Sequence, residues 1–243
     1  MKKTLLIAAA ALAASVISSQ AQVYSQNIVG YVNKPFVTGY VNVSNPLDNS
    51  GGNSLTNVVQ NVGGALDGVL VYLWNGTGYT IRQFDSSSAT GVSDLGGSPV
   101  ASPTLDPGSF AFLNNNSGVL LTNTFVGVVH VEGAGTGSVG RTTNVLATGF
   151  NFVGSKISVG GGLTTSLGLT NPAGVLDGVL VYTPNINGSG AFLGYVITQF
   201  DSSAGSGFSD LGGSPTTEPQ VSVSSGVIIN NNTGSAYSWT QNL

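Results

Sequence analysis

The chain has 243 residues and a net charge of −4, and beyond Lys2 and Lys3 its basic residues are Lys34, Arg82, Arg141 and Lys156. Scattered singly, these cannot follow a phosphate backbone, which argues against nucleic acid and against an anionic membrane surface as partners. There is no cysteine, so the core alone must hold the fold, and 7% charged against 41% hydrophobic residues excludes disorder of the charged kind.

Met1-Lys2-Lys3, the apolar and small-residue run Thr4 to Ile17, and Ser19-Gln20-Ala21 predict a secretory signal peptide over residues 1–21, cut between Ala21 and Gln22. The apolar run is shorter than the roughly 20 residues of a bilayer span, and no later stretch reads as a transmembrane helix. Loss of Lys2 and Lys3 leaves four basic against ten acidic residues, a charge of −6. The expected location is the cell surface or the extracellular space of a Gram-negative-type bacterium.

Ile28 to Val32 predicts a strand ended by Asn33 and Pro35, and Phe36 to Val43 a second, broken by Asn45-Pro46. Leu55, Val58, Val59 and Val62 fall at i, i+3, i+4 and i+7 and predict a short helix, capped by Asn53 or Ser54 and stopped by Gly63-Gly64. Val69 to Trp74 and Tyr79 to Phe84 read as a hairpin around Asn75-Gly76-Thr77-Gly78. A polar loop from Asp85 to Pro107 leads to strands at Phe110 to Leu113 and Val119 to Val131.

Leu66-Asp67-Gly68-Val69-Leu70-Val71-Tyr72 then returns unchanged as Leu176 to Tyr182, 110 positions later. Such a return marks an internal repeat. Leu163 to Leu169 takes the place of the helix. After the doubled strand the spacing becomes 116, which sets Gln199-Phe200-Asp201 on Gln83-Phe84-Asp85 and Ser209 to Pro215 on Ser93 to Pro99. The six extra residues fall in the second hairpin, where an exposed tip tolerates insertion. Repeat 1 therefore covers 27–130, a Gly-rich linker 131–136, and repeat 2 137–243. The expected fold is mainly β: two homologous antiparallel sandwich-like or open-barrel-like repeats, each with one short helix. They could stand as separate domains or share one sheet, hiding strand edges.

The order Gly39-Tyr40, then Val71-Tyr72-Leu73-Trp74-Asn75-Gly76-Thr77-Gly78-Tyr79, then Pro107-Gly108-Ser109-Phe110-Ala111-Phe112 resembles a repeat of uncharacterised exported bacterial β-rich proteins. The second copy departs from it at Thr183-Pro184 and at Ser225-Gly226-Val227-Ile228. The resemblance implies a secreted or surface module and brings no catalytic residue.

Nucleophilic catalysis needs a base, and the sole histidine, His130, lies in an apolar run near the join of the repeats, as a strand residue would. Paired carboxylates could serve a glycoside hydrolase, but Asp67 and Asp177 precede glycine, where aspartate is favoured for turn geometry. Asp85 with Asp94, and Asp201 with Asp210, bound oxygen-rich loops that could hold calcium, although the regular Asp-x-Asp spacing is missing. Zinc lacks its Cys and His ligands. Trp74 and Tyr79 flank the first hairpin turn and could stack on sugar rings. The sequence thus points to an exported, non-enzymatic structural or adhesive protein with no cofactor. A carbohydrate-binding module using Trp74 and Tyr79 is the alternative, and a secreted hydrolase stands behind it. Expected partners are extracellular polysaccharide or other surface proteins.

Overall fold

The computed structural model describes residues 29–132 and 140–243. The predicted leader with its Ala21/Gln22 cleavage point lies outside the described residues, as does most of the Gly-rich connection.

Copy 1 runs β1 (Val29–Phe36), β2 (Gly39–Ser44), α1 (Leu55–Val58), β3 (Leu70–Trp74), β4 (Tyr79–Phe84), β5 (Val92–Ser93), β6 (Phe110–Asn115) and β7 (Leu121–Val128). Copy 2 runs β8 (Arg141–Leu146), β9 (Gly149–Gly154), β10 (Gly161–Gly162), β11 (Leu180–Ile186), β12 (Phe192–Phe200), β13 (Phe208–Ser209), β14 (Gln220–Val221), β15 (Gly226–Asn231) and β16 (Tyr237–Asn242). The architecture is mainly β and antiparallel, and it is not a closed barrel. Each copy builds a five-stranded sheet, in the order β2-β6-β3-β4-β5 and correspondingly β9-β15-β11-β12-β13. Each also has a two-stranded ribbon, β1–β7 or β8–β16, and copy 2 adds the short pair β10–β14.

Alternation along the strands gives each sheet two faces. In copy 1, Val41, Val43, Val71, Ala111 and Leu113 point to one side, where Phe36 and Phe125 of the ribbon and Leu55, Val58 and Val59 close the core. Copy 2 does the same with Val153, Val181, Val227, Ile229, Leu146, Trp239, Leu163 and Leu167. The opposite faces of the two sheets meet each other through Phe110, Phe112, Ile228, Tyr72, Phe152, Tyr182 and Tyr195. The layers therefore run ribbon, sheet, sheet, ribbon.

The docking of the copies has a two-fold character. Ser44 N donates to the Ser224 carbonyl at 2.9 Å, and Gly154 N donates to the Gly108 carbonyl at 2.8 Å. Gly154 stands 110 after Ser44, and Ser224 stands 116 after Gly108, so these are the same bond made twice. The acceptor residue is left-handed both times, Gly108 at φ +81° and Ser224 at φ +57°. That turn aims the carbonyl across the interface. The serine holds a conformation that costs an L-residue roughly 1–2 kcal/mol.

Three expectations are corrected. The strand expected to end by Pro35 continues to Phe36, with Pro35 opposite Thr122 in a two-stranded ribbon. A proline is tolerated there because its ribbon strand has a partner on one side only. The helix expected from Leu55 through Val62 is one turn, Leu55–Val58, without a side-chain cap from Ser54, and Val62 is exposed. Its β-branched residues disfavour extension, and the Asn61 carboxamide instead accepts the Leu66 amide at 2.7 Å and holds a loop. Copy 2 forms turns over 163–167 rather than a helix: the Glu218 carboxylate accepts the Thr164 and Thr165 amides, but left-handed Gly168 (φ +73°) ends the segment within about a turn. One position nonetheless docks this segment in both copies. Asn123 donates to the Val58 carbonyl at 3.1 Å, and Trp239, 116 residues later, donates its indole N–H to the Leu167 carbonyl at 2.6 Å.

Candidate functional site: the interface between the copies

The aromatic face follows from residues two apart on neighbouring strands. Tyr72 and Trp74 on β3, Tyr79 on β4, Phe110 and Phe112 on β6 and Tyr40 on β2 all leave the sheet on the side away from the copy 1 core. Phe150 and Phe152 on β9, Tyr182 on β11 and Tyr195 on β12 answer from copy 2.

Trp74 and Tyr79 are register partners with ring centroids 5.7 Å apart, so the hairpin brings this predicted pair together. Their rings are already engaged. Trp74 stacks on Phe152 at 4.8 Å and 14° and meets Phe150 edge-on at 6.2 Å. Tyr79, 41% exposed, meets Phe152 edge-on at 5.7 Å. Tyr79 and Tyr195 are repeat equivalents, 116 apart, and face each other across the interface. Desolvation, and then the hydrogen-bonding contact with Tyr195, push the Tyr79 phenol well above its ordinary value. Desolvation and the Tyr40 phenol raise Tyr72 likewise. Trp239, by contrast, is fully buried in the copy 2 core.

Between the rings lie two clefts. One of about 220 Å³ is lined by Tyr40, Tyr72, Tyr79, Phe112, Phe192 and Tyr195. The other, about 260 Å³, lies among Trp74, Tyr79, Phe150, Phe152, Tyr182, Tyr195 and Ile228. Phe192 comes from the enlarged second hairpin and packs 6.1 Å from Tyr40. The same hairpin grips β2 through its Gly190 carbonyl, which accepts the Tyr40 amide at 2.7 Å. Gly190 is left-handed (φ +78°), and a side chain there would run into the Thr38 carbonyl.

The paired aspartates organise loops. Asp85 Oδ1 accepts from the Ser87 amide and hydroxyl at 3.0 and 2.6 Å, and Asp201 does the same with Ser203 at 3.0 and 2.5 Å. Those serines hold both carboxyls below the usual range. Asp94 Oδ1 accepts the Gly96 and Ser98 amides, both at 2.9 Å, and Asp210 accepts those of Gly212 and Ser214, both at 2.8 Å. Among the described residues no three His, Cys, Asp or Glu side chains gather as metal ligands. His130 Nδ1 lies 3.3 Å from Asp48 Oδ2.

Asp67 and Asp177 do more than form a turn. Asp67 accepts the Ser86 hydroxyl and amide and the Asn61 carboxamide at 2.6 to 2.7 Å. Asp177 repeats this with Ser202 and Asn171 at 2.6 to 2.8 Å. The hydroxyl bond leads in lowering both carboxyls. Asn61/Asn171 and Ser86/Ser202 recur at the repeat spacings of 110 and 116, which was the available signal for these clamps.

Sequence reading did not single out Lys34, and no repeat signal marks it, since position 144 carries asparagine. The structure places it at one end of the interface, where its amine donates to Ser225 Oγ at 2.5 Å. Beside it Asn42 closes a two-way bridge to Gly226, donating to its carbonyl at 2.6 Å and accepting its amide at 2.8 Å. Burial lowers Lys34 from the ordinary lysine value to about 8. Compared with known families, curated proteins and solved structures, the chain matches none.

Proposed function

We propose that the protein is an exported, non-enzymatic module with a structural or adhesive role at the cell surface or in the extracellular matrix, of the uncharacterised two-repeat kind its motifs resemble. One observation carries the reading. Ser-Asp-Leu-Gly-Gly-Ser-Pro is displayed twice, as 93–99 and 209–215, on copies docked to each other. In each loop the aspartate ties down the turn, and the leucine stands out, Leu95 at 60% and Leu211 at 62% exposure. Fixed display of one element twice suits bivalent attachment, in which the second contact forms at high effective concentration.

The test is protease shaving of intact cells making the tagged protein, with retention on those cells measured for Leu95→Asn, Leu211→Asn and the double variant. Surface exposure is expected, and the double variant should lose at least about tenfold more retention than either single. Cytoplasmic confinement, or wild-type retention of the double variant, would defeat the reading.

Carbohydrate binding is the second reading, favoured by the clefts beside Tyr79. A glycan array with and without calcium tests it. A calcium requirement that disappears in Asp85→Asn or Asp201→Asn would bring the aspartate loops into the site.

A further inference from the structure

Lysines sit at both ends of the interface between the copies, in opposite circumstances. Lys156 lies 4.0 Å from the Glu132 carboxylate and donates to the Thr143 carbonyl. Lys34 has no carboxylate within ion-pair distance among the described residues, and its one side-chain partner is the neutral Ser225 hydroxyl. A desolvated ammonium without a counter-charge is costly, and an anion offsets that cost. Lys34 opens onto a groove of about 310 Å³ between β1–β2 of copy 1 and the hairpin and 220–226 segment of copy 2. Along it Tyr40, Asn187, Gln220, Ser222 and Ser225 supply one aromatic ring and several neutral hydrogen-bonding groups, set between apolar proline, valine and isoleucine side chains.

We propose that this groove binds a uronate residue of an extracellular polysaccharide, with the sugar carboxylate on Lys34 and ring hydroxyls on the neighbouring amides and hydroxyls. A single cation among neutral polar and apolar groups matches one carboxylate on a sugar ring, which has hydroxylated edges and apolar faces. It does not match a phosphate backbone, which needs several cations. The site differs from the Trp74/Tyr79 face and rests on the reading of the protein as an exported adhesive module.

The groove's pH response is simple because its walls hold few titrating groups. Lys34 comes from β1 and Tyr40 from β2, while the copy 2 hairpin and the 220–226 segment add none. The nearby Glu218 turns its carboxylate to Thr164 and Thr165. Free Lys34 titrates near 8, so binding of an anion is fully present below that pH and declines above it, and the bound anion raises the lysine value in turn.

The experiment is calorimetric titration of the exported chain, residues 22–243, with cellobiouronate, its neutral twin cellobiose, and acetate. Cellobiouronate is expected to bind at pH 6.5 at least tenfold more tightly than either control, to lose tenfold or more in Lys34→Met, and to weaken at pH 9.5. Lys34→Arg keeps the charge and should retain binding, which separates charge loss from misfolding. Equal affinity for cellobiose, unchanged affinity in Lys34→Met, or no binding at all would overturn the proposal. Acetate binding as tightly as cellobiouronate would reassign the site to free carboxylates. None of these outcomes alters shaving or Leu95/Leu211 retention, so the groove can fail while the adhesive reading stands, and the reverse.

Discussion

Trp74→Ala tests whether the aromatic face is a joint between the copies. The indole is partly buried, stacks on Phe152 at 4.8 Å and meets Phe150 and Tyr79 edge-on. Removing a fully buried tryptophan costs about 3–5 kcal/mol, and partial burial brings that to about half. One stacked pair adds about 0.5–1.5 kcal/mol beyond area, so the expected loss is about 2–4 kcal/mol. For a chain of this size that lowers Tm by roughly 4–16 °C. Urea denaturation followed by tryptophan fluorescence reads the effect cleanly, because Trp239 becomes the sole reporter and lies in the copy 2 core. A stability loss in copy 2 from a deletion in copy 1 is the signature of a shared interface. Phe152→Ala and the double variant complete a cycle whose coupling should be about 0.5–1.5 kcal/mol. A loss under about 0.5 kcal/mol, or strict additivity with Phe152→Ala, would refute the reasoning.

Trp239→Phe leaves the buried Leu167 carbonyl without its indole donor; a loss of about 2–4 kcal/mol is expected from the orphaned acceptor and the vacated volume, read by circular-dichroism melts. Gly190→Ala drives a methyl into the Thr38 carbonyl from a left-handed backbone, whereas Gly188→Ala in the same turn meets nothing within 4 Å. The first should destabilise by about 1–3 kcal/mol and the second by less than about 0.5 kcal/mol in urea titrations. Asp67 and Asp177 have folded values below the unfolded one near 3.9. Their contribution is therefore present above that pH and lost as pH falls through the folded value. Thermal melts between pH 5 and 2 should show a shallower acid decline in Asp67→Asn/Asp177→Asn than in the wild type.

Much of the fold was legible. The apolar Val-Leu-Val run, the Asn75–Gly78 turn and the doubled Leu66–Tyr72 run locate β3, β4, β11 and β12, and the shift from 110 to 116 marks the enlarged hairpin. The helix ends after one turn because an apolar stripe and a cap-type residue do not ensure the cap bond: the Ser54 side chain makes none, and the Asn61 carboxamide holds a loop instead. The interface could have been inferred from Phe110/Phe112 and Tyr72/Trp74. Aromatic residues two apart on strands whose intervening positions are also apolar describe a sheet that needs cover on both faces. What no local pattern could show is which surface supplies that cover. Lys34 was illegible for the same reason, since its environment is made by residues 191 positions away.

The sequence spacings of 110 and 116 put the two ends of the interface in correspondence. The pair Asn42–Gly226 at one end corresponds to Phe152–Phe110 at the other, because 42 and 152 are 110 apart and 110 and 226 are 116 apart. At the second end the rings stack at 5.6 Å and 22°, and Trp74 lies over Phe152. At the first, Asn42 holds Gly226 by two hydrogen bonds. Thr183-Pro184 stands where the first hairpin has Leu73-Trp74, which removes the large side chain from that end. The aromatic end thus closes the joint, while the polar end leaves a groove with a lysine facing it. A duplicated module that met itself through identical ends would present two like surfaces. The two ends of this joint differ, so one coheres through stacked rings while the other leaves Lys34 beside an open groove.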